Sequence, residues 1–143
     1  MEFETTFYGV REYSKEDIIH FKKGLPGFEN LKEFIIFDAD DNKVFSVLQS
    51  VEDKNIGLIV ISPFSQIKDY EFNLDDEIEK RLNIENSEDV LVLNTVTLNS
   101  KIEDITTNLR APIIINIKNK LGEQIILNED KYDIKHPLFK EGV

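Results

Sequence analysis

VLVLNTVTLNSKIEDITTNLRAPIIINIKNKLGEQIIL, the stretch from Val90 to Leu127, decides the fold. It holds the longest β-type apolar runs in the chain, and its last part reads as a hairpin. Ile113 to Ile117 form one arm and Gln124 to Leu127 the other. Between them Lys118 to Glu123 include Asn119 and Gly122, which supply the backbone freedom a reversal needs. Pro112 cannot donate a ladder hydrogen bond, so it fits the first position of a strand or an edge. The stretch specifies a β-rich core and is silent on chemistry.

Working outward, Glu2 to Val10 alternates loosely and reads as an opening strand, and Ile18 to Phe21 as a short one. Gly24-Leu25-Pro26-Gly27-Phe28-Glu29 is punctuation. Pro26 followed by Gly27 matches a type II turn, where Gly takes the positive φ cheaply, and Phe28 and Leu31 would anchor it to the core. Glu33 to Phe37 and Val44 to Ser50 pair as a hairpin across Asp38 to Asn42. That acidic turn invites a calcium-loop reading, which fails because Lys43 and Gln49 stand where Gly and a bidentate Glu are needed. Ile56 to Ile61 is apolar almost throughout and reads as a strand buried on both faces or close to it.

Asp69 to Leu74 reads as a further short strand with Tyr70, Phe72 and Leu74 on one face. One helix follows. Asn73 is its expected N-cap, Asp75, Asp76 and Glu77 suit the first turn, and Lys80 and Arg81 the last. Leu74, Ile78 and Leu82 repeat every four residues, giving a narrow apolar stripe under an acidic face. Tyr132 to Phe139 reads as an extended tail. About eight to ten short strands with one short helix indicate a mainly β, compact antiparallel β-barrel-like domain, one domain over residues 1–143.

Composition narrows the function classes. The absence of cysteine removes disulfides, thiolate nucleophiles and cysteine-based zinc sites. No apolar run approaches the ~18 residues that span a bilayer, and the charged first twenty residues lack a signal-peptide core. The lack of cysteine is compatible with a reducing cytoplasm. The net charge is −11, and the segment from Asp69 to Asp104 carries eleven acidic residues against three basic ones, or −8 of that total. A surface of this sign attracts basic partners and repels nucleic acid and anionic membrane. Acidic residues that merely keep a protein soluble are the competing reading.

Catalytic signals are thin. His20 and His136 are the two histidines, with no metal-ligand spacing, and no nucleophile elbow, P-loop or dinucleotide fingerprint occurs. Among 28 acidic residues some carboxylate pair always sits at a glycosidase-like spacing, so pairing carries little information. Asn94, Asn108 and Asn116, polar residues in or beside apolar runs, are expected to bond local backbone. No catalytic residue, metal ligand or cofactor is assigned.

Taken together, Gly24-Leu25-Pro26-Gly27-Phe28-Glu29, Leu48-Gln49-Ser50, Asn108-Leu109-Arg110-Ala111-Pro112-Ile113-Ile114-Ile115-Asn116, Gln124 and Tyr132-Asp133-Ile134-Lys135-His136-Pro137-Leu138 fall in an order and spacing that resemble the flagellar assembly factor FliW family. The resemblance covers nearly the whole chain. It implies a small cytoplasmic β-barrel-like protein without catalytic activity. It further implies two alternative protein partners: the RNA-binding translational repressor CsrA, which such proteins antagonise, and newly made flagellin. Unsecreted flagellin would then occupy the protein, free CsrA and stop flagellin translation, and export would reverse this.

Within that frame the carboxylates Glu71, Asp75, Asp76, Glu77 and Glu79 are the expected contact with basic CsrA, and Phe28 the expected neighbour of an apolar groove for flagellin. Gly24, Leu25, Pro26, Gly27, Glu29, Gln49, Asn108, Leu109, Ala111, Pro112, Asn116 and Gln124 are expected to be scaffold. Two other classes compete: a carboxylate-based enzyme acting on a small molecule or carbohydrate, and an acidic mimic of nucleic acid.

Overall fold

The computed structural model describes residues 1–39, 42–128 and 131–138. Its strands are β1 Glu2–Thr5, β2 Gly9–Glu12, β3 Ile19–His20, β4 Glu33–Ala39, β5 Asn42–Ser50, β6 Gly57–Ile61, β7 Val90–Thr97, β8 Thr106–Thr107, β9 Ile113–Asn116, β10 Leu121–Gln124 and β11 His136–Pro137; the helix α1 is Asp76–Arg81. β1 and β2 form a separate two-stranded ribbon. The others hydrogen-bond in the order β11-β8-β7-β6-β5-β4-β3-β10-β9, and β9 returns to pair with β7. Seven strands therefore close on themselves, and closure removes the sheet edges that would otherwise template aggregation. Neighbours are antiparallel except β10 and β3, which meet in parallel through Leu121 and His20.

Period-2 alternation fixes what faces where. Phe34, Leu48, Val60, Leu93, Ile113 and Ile115 fill the barrel with Ile19, Phe21 and Leu25. Alternate residues face outward, and on β7, β9 and β10 these include the apolar Val90, Val92, Ile114 and Leu121. Ile114 and Ile125 are buried there beneath Ile78 and Leu82 of α1, with Phe72, Leu74, Ile84, Val90 and Val92 packed around them. Residues 69–89 thus lie along the outside of the barrel and make a second apolar layer on it.

Several sequence expectations need correction. The opening strand is a hairpin, because Thr5 Oγ1 accepts from Tyr8 N and donates to Gly9 O, folding Thr6 to Tyr8 into a turn. Asp69 to Leu74 forms no strand: Tyr70 turns inward while Glu71 bonds the Tyr132 hydroxyl rather than a neighbouring strand. The helix is capped by Asp75, not Asn73, its carboxylate accepting from Ile78 N at 2.9 Å. Arm two of the hairpin starts three residues early, at Leu121, because Lys120 rather than Gly122 takes the left-handed φ of +60°. Gly122 is instead a strand residue opposite Ile115, and a Cβ there would meet the Phe21 ring at 2.6 Å. In β6, Val60 and Ile61 are buried and Gly57, Leu58 and Ile59 half-buried, so the strand is close to buried on both faces only toward its end. The acidic turn residues Asp40 and Asp41, and Phe139 of the expected tail, lie outside the described residues.

The Leu-Pro-Gly turn is as expected. Gly27 has φ +88°, and Phe28 N donates to Leu25 O at 2.7 Å. Gly24, at φ +65°, lies so close to the backbone of Glu29 that a Cβ would sit 2.6 Å from its Cα.

Candidate protein-binding surface

A six-residue helix is not stable alone in water, so the position of α1 depends on what holds it. Burial of Ile78 and Leu82 against the barrel supplies about 1.5–3 kcal/mol for each side chain. Arg81 binds Glu123 of β10 through two parallel hydrogen bonds, Nε to Oε1 at 3.0 Å and Nη2 to Oε2 at 2.8 Å. These bonds hold the Arg81 guanidinium above its ordinary pKa. Asn116 at the end of β9 donates to Leu82 O and Asn83 O, which α1 leaves without helical partners. Asn119 adds a bond to Leu82 O. The acidic first turn and the basic last turn both complement the helix dipole.

Held this way, α1 turns Asp76, Glu77 and Glu79 to solvent. Of the five carboxylates expected to form a contact, Asp75 is occupied as the cap. Glu77 lies 3.9 Å from Arg81, and Glu71 lies 3.7 Å from Lys131, both pairs at the surface and worth little to stability. Among the described residues Asp76 and Glu79 make no ion pair. Both line an open hollow of about 600 Å³ together with Lys80, Asn83, Ile84 and Glu85.

A second hollow of about 410 Å³ adjoins it, sharing Glu79, Ile84 and Glu85. Its floor is the outer face of β7, Val90 and Val92, and its walls carry Phe64, Phe72, Leu74 and Ile84. Two local features build the Phe64 wall. Pro63 opens a short 3₁₀ turn in which the Ser62 hydroxyl accepts from Phe64 N, leaving the Phe64 ring half exposed. Tyr70 then stacks edge-on between Phe64 and Phe72, at 6.0 and 5.7 Å. Tyr70 is itself fixed by a 2.6 Å bond to Leu109 O and by the Tyr132 ring 4.5 Å away.

The family model described as FliW protein matches residues 2–138. The chain belongs to the FliW family. It is 68% identical to the flagellar assembly factor FliW of Clostridium novyi over 143 residues, all of both chains. It is 61% identical to that of Clostridium botulinum strain Okra over 141 residues, 99% of each. A crystal structure of the flagellar assembly factor FliW superimposes with a TM-score of 0.90 at 38% identity, covering all of both chains.

In this FliW-family fold several of the residues that carry the resemblance hydrogen-bond the backbone of turns. Gln49 is buried and donates to Ser50 O, shaping the turn into β6. Asn108 Oδ1 accepts from Arg110 N and Ala111 N, bending the chain between β8 and β9. Gln124 donates to Ala111 O, and the Pro112 carbonyl accepts from Ile125 N. Leu25 is buried in the barrel, while Pro26 and Glu29 are exposed on the turn. Phe28 is half-buried in that turn and is not among the residues lining either hollow beside α1. Sequence reasoning missed Phe64, Ile84, Glu85, Val90 and Val92. The usable signal is the Tyr70, Phe72, Leu74 alternation, which marks an apolar face on a segment that is not a strand.

Proposed function

We propose that this FliW-family protein is a cytoplasmic protein-binding regulator that antagonises CsrA and takes flagellin as an alternative partner, so that flagellin export controls flagellin translation. The observation that carries this reading is an exposed acidic helix, tethered at both its side chains and its last carbonyls, beside an apolar hollow on the outside of a closed barrel. A rigid anionic face suits a basic RNA-binding protein, and rigid elements make precise binding sites. Asp76, Glu77 and Glu79 are the core of the CsrA contact, with Glu71 at its margin and Asp75 holding the helix. Phe28 is a candidate flagellin contact on the turn.

The carboxylate-enzyme reading is weaker, since Glu71, Glu79 and Glu85 are exposed at the hollow's rim. A general acid needs its carboxyl taken out of water to hold a proton at neutral pH. The nucleic-acid mimic reading shares the acidic face but has no use for an apolar hollow.

The test is pull-down from a flagellated host with the wild-type chain and the triple variant Asp76→Lys, Glu77→Lys, Glu79→Lys. CsrA and flagellin should appear in mutually exclusive complexes, and the triple variant should lose CsrA with a shallower salt dependence of what remains. A ternary complex, or unchanged CsrA affinity and salt slope, would reject the reading. Phe28→Ala, if folded, should weaken flagellin alone.

A further inference from the structure

β4 is paired along its whole length on one side but not on the other. β5 meets it from Phe34 to Ala39, with a bulge after Asp38, whereas β3 meets only Glu33 and Phe34. Two bonds fix where the backbone groups of β4 point. Val51 N donates to Glu33 O, so its odd-numbered residues address β5; Phe21 N donates to Lys32 O, so the even-numbered ones address the β3 side. The residues before β3 turn away in a short 3₁₀ turn, Lys15–Asp17, and do not carry the pairing on to Ile36. The N–H and C=O of Ile36 and Asp38 therefore face an open edge, and among the described residues no strand takes them.

A recess of about 540 Å³ lies at this edge, lined by Ile35 to Phe37 of β4 and by Val10 to Tyr13 of the ribbon, together with Asp17 and Lys120. The ribbon border is unpaired as well. Met1 and Tyr13 exchange both of their backbone bonds, so odd-numbered residues bond across the ribbon and Val10 and Glu12 turn theirs outward. The Tyr8 ring stands edge-on to Phe37 at 5.8 Å and the Arg11 guanidinium lies 4.1 Å above it, which holds the ribbon beside β4. Charge in the recess balances, Arg11 and Lys120 against Glu12 and Asp17, and Val10, Ile36 and Phe37 supply apolar surface.

We infer that this recess is a strand-addition site, which takes one extended, uncharged segment of a protein partner onto the Ile36–Asp38 edge of β4. The unpaired backbone groups select an extended chain, because a helix satisfies its own N–H and C=O groups internally. The balanced charges select against a strongly charged segment, and the apolar lining favours alternating β-branched residues. A second copy would offer its own β4 edge or its ribbon, each part of a folded sheet, and such an edge docks on an open flank rather than in a recess walled by the ribbon. The site shares no lining residue with the two hollows beside α1, so it stands or falls independently of the CsrA reading.

The probe is a labelled peptide of alternating valine and threonine, about ten residues long, with a lysine pair at each end. Binding to the full chain is read by fluorescence anisotropy. Two further versions are N-methylated at every valine or at every threonine. Alternate amides of an added strand face β4, so one version should lose at least about tenfold in affinity while the other binds like the parent. Loss in both places the segment between β4 and β2 with both edges engaged. Full binding by both, or tighter binding of a leucine-striped helical peptide, overturns the assignment.

Hydrogen exchange locates the contact. The amides of Ile36 and Asp38 should exchange fast in the free protein and slow at least about tenfold with peptide, while those of Ile35 and Phe37, already bonded to β5, should not change. Slowing spread evenly along β4, or none, also overturns the site. Asp38→Pro removes an edge N–H without touching the β5 ladder and should weaken the peptide at least about tenfold, whereas Asp38→Ala keeps that N–H and should bind like wild type. Equal weakening by the two variants overturns a backbone contact. If Asp38→Pro fails to fold, the methylated pair and the exchange pattern carry the test. Self-association of the protein that Asp38→Pro abolishes assigns the edge to a second copy and overturns the partner segment.

Discussion

Gly24 and Gly27 lie in one turn, both with positive φ, yet the structure assigns them different costs. At Gly27, with φ +88°, an added Cβ meets nothing within 4 Å. Gly27→Ala should therefore cost only the left-handed backbone penalty, about 1–2 kcal/mol. At Gly24, with φ +65°, the added Cβ would lie 2.6 Å from both the Cα and the carbonyl oxygen of Glu29. Those are main-chain atoms and cannot rotate away. Overpacking then adds about 1–3 kcal/mol, bringing Gly24→Ala to about 2–5 kcal/mol. At roughly 4 °C per kcal/mol for a chain of this size, Gly24→Ala should melt about 8–20 °C lower and Gly27→Ala about 4–8 °C lower. Urea titration followed by far-ultraviolet circular dichroism, with an unchanged m-value, measures both. Equal losses, or a larger loss at Gly27, would refute the close approach to Glu29. Because Gly27 is expected to be scaffold, folded Gly27→Ala should also keep the CsrA binding proposed above.

Three other perturbations test the supports of the aromatic wall, of α1 and of the barrel. Burial pushes the Tyr70 phenol up to about 12, so the folded state keeps a proton that the unfolded chain releases near pH 10. Stability from this source is complete below pH 10 and is lost as pH rises toward 12, by at most about 1.4 kcal/mol per pH unit. Tyr70→Phe should flatten that part of the alkaline stability curve, and parallel curves for the two proteins would count against it. Asn116→Ala removes the donor to Leu82 O and Asn83 O and should cost about 1–3 kcal/mol. Hydrogen exchange should accelerate in α1 before the barrel, and uniform acceleration would deny a local anchoring role. Gly122→Ala should cost about 1–3 kcal/mol through the Phe21 ring, and adding Phe21→Leu should recover part of it, giving non-additivity of about 1 kcal/mol in a double-mutant cycle. Strict additivity would show that the two do not touch.

The barrel was legible because alternation is a local pattern. Each arm of β4–β5 and the run of β7 announced its inward face in consecutive residues, and the pairings Phe34–Ser50 and Phe37–Val47 follow from them. The helix was legible from its four-residue apolar stripe. What the sequence hid depends on long-range partners. Asp69 to Leu74 has a strand's alternation but no strand beside it, since Tyr70 bonds Leu109, 39 residues away, and Glu71 bonds Tyr132, 61 residues away. The placement of Gly122 failed for a related reason. Glycine is the usual signal for a reversal, yet here it is required by the ring of Phe21, and Lys120 makes the left-handed turn. The acidic face of α1 could be named in advance because charge is read residue by residue. The apolar hollow could not, because its floor belongs to β7 and its walls to segments on either side of α1.

The Asn108–Asn116 segment connects the two halves of this surface. β7 pairs with β9 through Val90 to Leu93 and with β8 through Val96 and Thr97, so Asn108 to Pro112 is an excursion between two stretches that meet the same strand. That excursion presents the carbonyl of Leu109, and this carbonyl fixes Tyr70 and with it the aromatic wall of the hollow. Seven residues later the same segment presents the amide of Asn116, which holds the last carbonyls of α1 and so the acidic wall. One short strand with its lead-in thus sets the spacing between an aromatic wall and a carboxylate wall, without contributing Leu109 or Asn116 to the lining of the hollow. Asn116→Ala, which removes that amide, would therefore shift the carboxylate wall relative to the aromatic wall, whereas Leu109 acts through a main-chain carbonyl that substitution leaves in place.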